Sequence, residues 1–173
     1  MAIVVNAAGC GAYLKKYTSL LGEPARDFCD RVRDIQEFLD QLGMVEPTSP
    51  IVKKVAIQEP CHLAHAQRVS EQVSNLLKKI PGLTLVPLEG SKDCCGSAGI
   101  YNITHFRDSM RLLDAKMGRI AQTGADILVA ANPGCLYQLR WGVKRAGLKM
   151  EVLHPMTLLA RAYAKIPVAG RVP

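Results

Sequence analysis

Aromatic residues are scarce in this chain of 173 residues, at 5% with a single tryptophan. That leaves few rings on which bases could stack. The excess of basic over acidic residues, a net charge of +7, is scattered in pairs such as Lys15-Lys16, Lys53-Lys54 and Lys78-Lys79. Such pairs read as solvated element ends, so no nucleic-acid partner is expected. Long apolar runs are missing too: none approaches the ~18 residues of a membrane-spanning helix. The opening Met1-Ala2-Ile3-Val4-Val5 lacks the basic leader of a signal peptide. No serine or cysteine has a convincing His–Asp pair and no glycine-rich phosphate loop is present, so no residue is assigned a catalytic role.

Cysteine is what the chain does have. Six occur without a secretory signal, which favours a reducing compartment where metal binding or redox chemistry outranks structural disulfides. Four follow the pattern Cys61-x32-Cys94-Cys95-Gly96-x38-Cys135, with Pro60 before the first and Pro133-Gly134 before the last. Adjacent thiols serve an ordinary core badly, because successive side chains point in different directions. They suit an iron–sulfur or other thiophilic metal centre reached from one corner of the chain. Buried free thiols, or a vicinal disulfide at Cys94-Cys95, are the plainer alternatives. Cys10 sits in a similar turn but lacks equivalent partners, so ligand and bystander remain equally open there. Cys29, beside Phe28 and Val32, reads as core. His62 and His65 read as helix-start residues before metal ligands. Gly96 and Gly134 are placed to let backbone N–H groups approach a cofactor, although tight turns alone would require them.

Three segments share one design, an apolar run, a turn of small residues or proline, then a cysteine: Ile3 to Cys10, Val55 to Cys61 and Ile127 to Cys135. Runs of this kind suit strands buried on both faces of a parallel sheet. Leu83 to Leu88 and Met150 to Leu153 read as further strands. Between them, Phe28, Val32, Ile35, Leu39 and Leu42 recur at helical spacing, as do Val69, Val73, Leu76 and Leu77. The series Ile103, Phe106, Met110, Leu113, Met117 and Ile120 does so as well and reads as a core stripe. The expected fold class is α/β: parallel-sheet βαβ units with helices on both faces, all three cysteine turns delivering sulfur to one sheet edge. Cys10 aligns with Cys135, and the runs before them match. We therefore expect the end of one cysteine-rich repeat over residues 1–45, a complete second repeat over 46–165, and a flexible tail at 166–173.

At Pro60-Cys61-His62-Leu63, Cys94-Cys95-Gly96-Ser97-Ala98-Gly99, Asn132-Pro133-Gly134-Cys135 and Val5 to Gly11, the chain resembles the cysteine-rich (CCG) domain. That domain occurs twice in one of the subunits of heterodisulfide reductase. It also ends the iron–sulfur subunits of glycolate oxidase, anaerobic glycerol-3-phosphate dehydrogenase and lactate-utilisation proteins. The likeness is strongest to the glycolate oxidase subunit. Two departures stand out. Gln138 and Tyr13 occupy the positions where the family pattern closes a Cys-x-x-Cys, so the second repeat offers four thiols rather than five. The ferredoxin-type cysteine series of full-length subunits is also absent, which leads us to expect the C-terminal part of a longer protein.

The resemblance implies an electron-transfer subunit of a flavin-dependent 2-hydroxy-acid oxidoreductase, itself non-catalytic. Cys61, Cys94, Cys95 and Cys135, with Cys10 in addition, would hold an iron–sulfur cluster, and four thiols suit the [4Fe-4S] type. FAD would lie on a partner oxidoreductase subunit, and electrons would leave to a carrier such as a quinone. The implied location is the cytoplasm, with peripheral association at the inner face of the membrane as the alternative. Two other readings stay open: a thiol/disulfide redox site like that of heterodisulfide reductase, and a structural zinc module.

Overall fold

The computed structural model describes residues 1–163, so the tail expected at 166–173 lies outside the described residues. Chain order runs β1 (Ile3–Val5), α1 (Ala8–Leu14), α2 (Thr18–Leu21), a 3-10 turn (Glu23–Ala25), α3 (Arg26–Arg31), β2 (Val32–Asp34) and α4 (Ile35–Leu42). It continues with β3 (Lys54–Gln58), a π-helical turn (His62–Gln67), α5 (Glu71–Lys78), β4 (Thr84–Val86), α6 (Tyr101–Thr104) and α7 (Phe106–Gln122). Last come β5 (Ile127–Ala130), α8 (Pro133–Arg145), β6 (Glu151–Leu153) and α9 (Pro155–Tyr163).

The fold is α/β with parallel strands throughout, but the strands fall into two sheets. Four pair in the order β4-β3-β5-β6, and β1 pairs with β2 separately. Strand β5 is buried along its whole length, as a continuous apolar run in a parallel sheet should be. Its residues alternate between two cores. Ile127 and Val129, with Val55 on β3, face α5 and α9; Leu128 and Ala130, with Ala56, face α7 and α8. Helices therefore cover both faces. Full burial of side chains such as Leu128 and Val129 contributes roughly 1.5–3 kcal/mol each.

Strand β3 is followed by a crossover to β4 on one side, whereas β5 lies on its other side and leads on to β6. The order thus reverses between β3 and β5, and beyond the carboxyl ends of those two strands a crevice opens. The start of α1, which follows the first strand of the small sheet, is docked across its mouth. Ala8 N donates to Ala131 O at 3.1 Å and Gly9 N to Asn132 Oδ1 at 3.0 Å. On the neighbouring side Gln67 Nε2 donates to Ala8 O at 2.9 Å.

Three expectations are corrected. The helical spacing from Phe28 to Leu42 is interrupted by β2, which pairs in register with β1 (Ile3 with Val32, Val5 with Asp34). Asp34 ends that strand and starts α4 through a capping box with Gln36 and Glu37. Strand β1 is not buried on both faces, since Val4 is 43% exposed. The core stripe on α7 begins at Met110, while Ile103 and Phe106, at 77% and 56% exposure, lie on the surface. The chain turns at His105 between α6 and α7, so the two residues do not share the face of those that follow.

Candidate metal centre

Each of the strand ends at the crevice delivers a cysteine. Cys61 follows β3 after Glu59 and Pro60, at the start of the π-helical turn. That turn closes at Arg68, whose φ of 58° ends it abruptly. Cys94 and Cys95 lie in the long connection between β4 and α6, and Cys135 stands in the first turn of α8, after β5. Together with Cys10 on α1 they line one cleft of about 300 Å³, shared with Gln58, His62, Ser97, Asn132 and Gly134. Cys95 and Cys135 are buried, Cys61 and Cys94 half-buried, and Cys10 lies exposed. Gly134 lines the cleft, whereas Gly96 stands behind it. Cys29 faces away, its Sγ donating to Leu14 O at 3.3 Å.

The connection carrying Cys94-Cys95-Gly96 is held on every side. Gln58 Nε2, at the end of β3, donates to Asp93 O at 3.1 Å. Glu59 N donates to Ser91 O at 3.0 Å and Ser91 Oγ to Glu59 Oε1 at 2.8 Å. From α7, Lys116 Nζ donates to Gly90 O at 2.5 Å, and Arg119 pairs with Asp93. Ser109 Oγ donates to Gly96 O at 2.8 Å and accepts from Gln138 Nε2 at 3.0 Å. Gln138, which stands where a fifth thiol would be, thus braces the turn from behind. Gly96 adopts a φ of 89°, and a Cβ there would lie 2.5 Å from Ser109 O. Backbone sterics and close packing both demand glycine at this position.

The neighbouring sulfurs shift one another's affinity for protons. The Cys94 thiol is pushed up, first by its hydrogen bond to Cys95 and then by burial. Cys95 is pushed up to about 12, first by hydrogen bonding to Cys135. Cys135 is lowered, chiefly because it accepts from Cys95, with the Asn132 amide assisting at 3.6 Å. Gly96 N also points to Cys94 Sγ, at 3.3 Å. Donors aimed at sulfur favour thiolate and are the means by which proteins tune thiolate-ligated centres.

The donor set fits a thiophilic, multi-atom group. Among the described residues no three His, Cys, Asp or Glu side chains are gathered as a single ion would need. The sulfurs instead surround a cleft.

Sequence reasoning passed over Gln58, Asn132, Ser109 and Lys116 as parts of this neighbourhood. Gln58 and Asn132 were detectable as polar residues closing apolar runs. Lys116 was detectable from its spacing, three residues after Leu113 and four before Ile120, on the apolar face of α7.

The model of the cysteine-rich domain CCG matches residues 55–140, which span β3 to α8 and all four cysteines of the second pattern. The probable glycolate oxidase iron–sulfur subunit of Bacillus subtilis is 37% identical over 171 residues, covering 93% of this chain and 38% of that protein. The glycolate oxidase iron–sulfur subunit of Escherichia coli is 36% identical over 141 residues, covering 78% of this chain and 34% of that protein. Lactate utilization protein A of Shouchella clausii is 29% identical over 159 residues, covering 88% and 66% respectively. The chain therefore spans little more than a third of the two glycolate oxidase subunits. Through residues 55–140 it belongs to the cysteine-rich (CCG) domain family.

Proposed function

We propose that this chain holds an iron–sulfur cluster of the [4Fe-4S] type at Cys61, Cys94, Cys95 and Cys135, one thiol per iron, with Cys10 at the rim of the same cleft as the alternative ligand. The polypeptide carrying it would be the electron-transfer subunit of a flavin-dependent 2-hydroxy-acid oxidoreductase, most like glycolate oxidase. The observation that supports this most directly is the convergence of cysteines from the ends of β3, β4 and β5 on one cleft. Bound there, the group would supply one-electron redox chemistry. The chain's own part is to hold it, shield its buried side with Cys95 and Cys135, and direct Gly96 N and Asn132 Nδ2 at sulfur.

The names of the relatives, glycolate oxidase iron–sulfur subunit among them, support hydroxy-acid oxidation as the class of reaction; in this reading hydride leaves the acid on a partner subunit carrying FAD, and electrons leave through a carrier such as a quinone. Among the described residues no helix is long and apolar enough to cross a membrane. A cytoplasmic site of action, with any contact to a membrane made at its surface, accords with that. The division into an incomplete first repeat and a complete second one also belongs to this reading. It is supported by the matching order of elements, β1 then α1 and β2 then α4 against β5 then α8 and β6 then α9.

Anaerobic purification with iron and sulfide analysis tests the proposal. Brown protein whose broad visible absorption is bleached by dithionite is expected; colourless protein binding zinc would refute it. Cys94→Ser should lose most of the iron and Cys29→Ser little, because Cys29 lies off the cleft. Equal loss from both would overturn the ligand assignment.

A further inference from the structure

We infer that Lys116 is a fixed cation beneath the cysteine cleft that raises the reduction potential of the centre held there. This rests on the reading of the cleft as a redox centre. Lys116 is 1% exposed, and its neighbours on α7, Leu113, Met117 and Ile120, belong to the same core as Cys95 and Cys135. Taking an ammonium out of water costs several kcal/mol unless an opposite charge compensates it. Its one hydrogen bond goes to a neutral carbonyl, Gly90 O, at 2.5 Å. The carboxylate that acts on it from nearby, Asp93, is already paired with Arg119. Among the described residues Lys116 makes no ion pair of its own.

The carbonyl that Lys116 holds, Gly90 O, lies four residues before Cys94 in the connection that carries Cys94 and Cys95, and both thiols act on the lysine electrostatically. Burial lowers the lysine's affinity for its proton, and the neighbouring carboxylate and thiols raise it. Thiolates ligating a metal centre would therefore stabilise the ammonium, and the ammonium in return would stabilise negative charge on the centre. Each electron accepted adds one negative charge. A nearby cation in a poorly screened interior stabilises the reduced state more than the oxidised one. The alternative is that Lys116 merely ties down the loop at Gly90, which requires a hydrogen bond and no charge.

Potentiometric titration separates the two roles. The full-length polypeptide carrying this chain is purified without oxygen as wild type, Lys116→Met and Lys116→Gln. The signal followed is the one that Cys94→Ser removes, which assigns it to this cleft. Lys116→Met keeps the apolar stem without the charge, and Lys116→Gln keeps a donor as well. Both are expected to retain their iron while the oxidised-to-reduced equilibrium moves about tenfold toward the oxidised form, about 59 mV for a one-electron couple. Wild-type protein that lacks a signal removed by Cys94→Ser refutes the redox reading of the cleft itself. If that signal is present but both variants keep the wild-type potential, the charge role alone is overturned. If both variants lose iron or fail to fold, Lys116 is a structural brace and the inference falls.

Discussion

Gly96→Ala is the substitution for which the structure supplies the clearest magnitude. At a φ of 89° the new Cβ would lie 2.5 Å from Ser109 O, 3.1 Å from Ser109 Oγ and 3.3 Å from Gln138 Nε2. The first of these is a backbone atom of α7 and cannot step aside without moving the helix. Forcing a side chain into left-handed backbone costs about 1–2 kcal/mol. Overpacking against a fixed neighbour adds about 1–3 kcal/mol. The sum, about 2–5 kcal/mol, is a large share of the ~5–15 kcal/mol that stabilises a typical domain. Gly118→Ala on the same helix is the control: nothing lies within 4 Å of its added Cβ. There the substitution should stabilise by about 0.5–1 kcal/mol through helix propensity. Urea denaturation of the apo chain with all three proteins measures both, as opposite shifts of midpoint at unchanged slope. A Gly96→Ala midpoint within about 0.5 kcal/mol of wild type would refute the reasoning about this turn.

Two buried titrating groups make opposite contributions to stability in mild acid. Asp34, 1% exposed, has its pKa raised to about 6 by burial, above its unfolded value of 3.8, so its share of stability is lost as pH rises from about 4 to 6. His154 is lowered to about 4 by burial, from 6.5, so its share is lost as pH falls from about 6.5 to 4. Each amounts to about 3 kcal/mol at 1.36 kcal/mol per pKa unit. Asp34→Asn should therefore expose a steep acid loss in denaturation midpoints, and His154→Asn should expose stability that grows on acidification. Equal pH profiles for the two variants would contradict both assignments. Asn132→Ala removes the acceptor for Gly9 N and the donor to Cys135 Sγ. It should cost about 1–2 kcal/mol by denaturation, and lower the iron retained by the anaerobically purified protein.

Much of the site's placement was legible without coordinates. Val55 to Cys61 and Ile127 to Cys135 each combine a buried-strand run with a turn and a cysteine. Parallel strands must all leave their carboxyl ends at the same rim. Turn chemistry and strand direction are local properties of the chain, so the gathering of sulfur could be argued from them. The pairing of β1 with β2 could not. Val32 to Asp34 is a three-residue strand embedded in helix-like spacing, and its conformation depends on a partner some thirty residues away. Local pattern is silent about such a partner.

The same division runs through the side chains. Alternation along β5 sends Ile127 and Val129 to one core and Leu128 and Ala130 to the other, because the pleat has a period of two residues. That was written in the order of amino acids. The three-dimensional packing had to assign the remaining roles: Gln138 as brace in place of a fifth thiol, Lys116 as a buried cation, Ile103 and Phe106 as surface residues. Each of these roles arises from an encounter between segments far apart in the chain. Burial and charge are properties of that encounter, not of the residue.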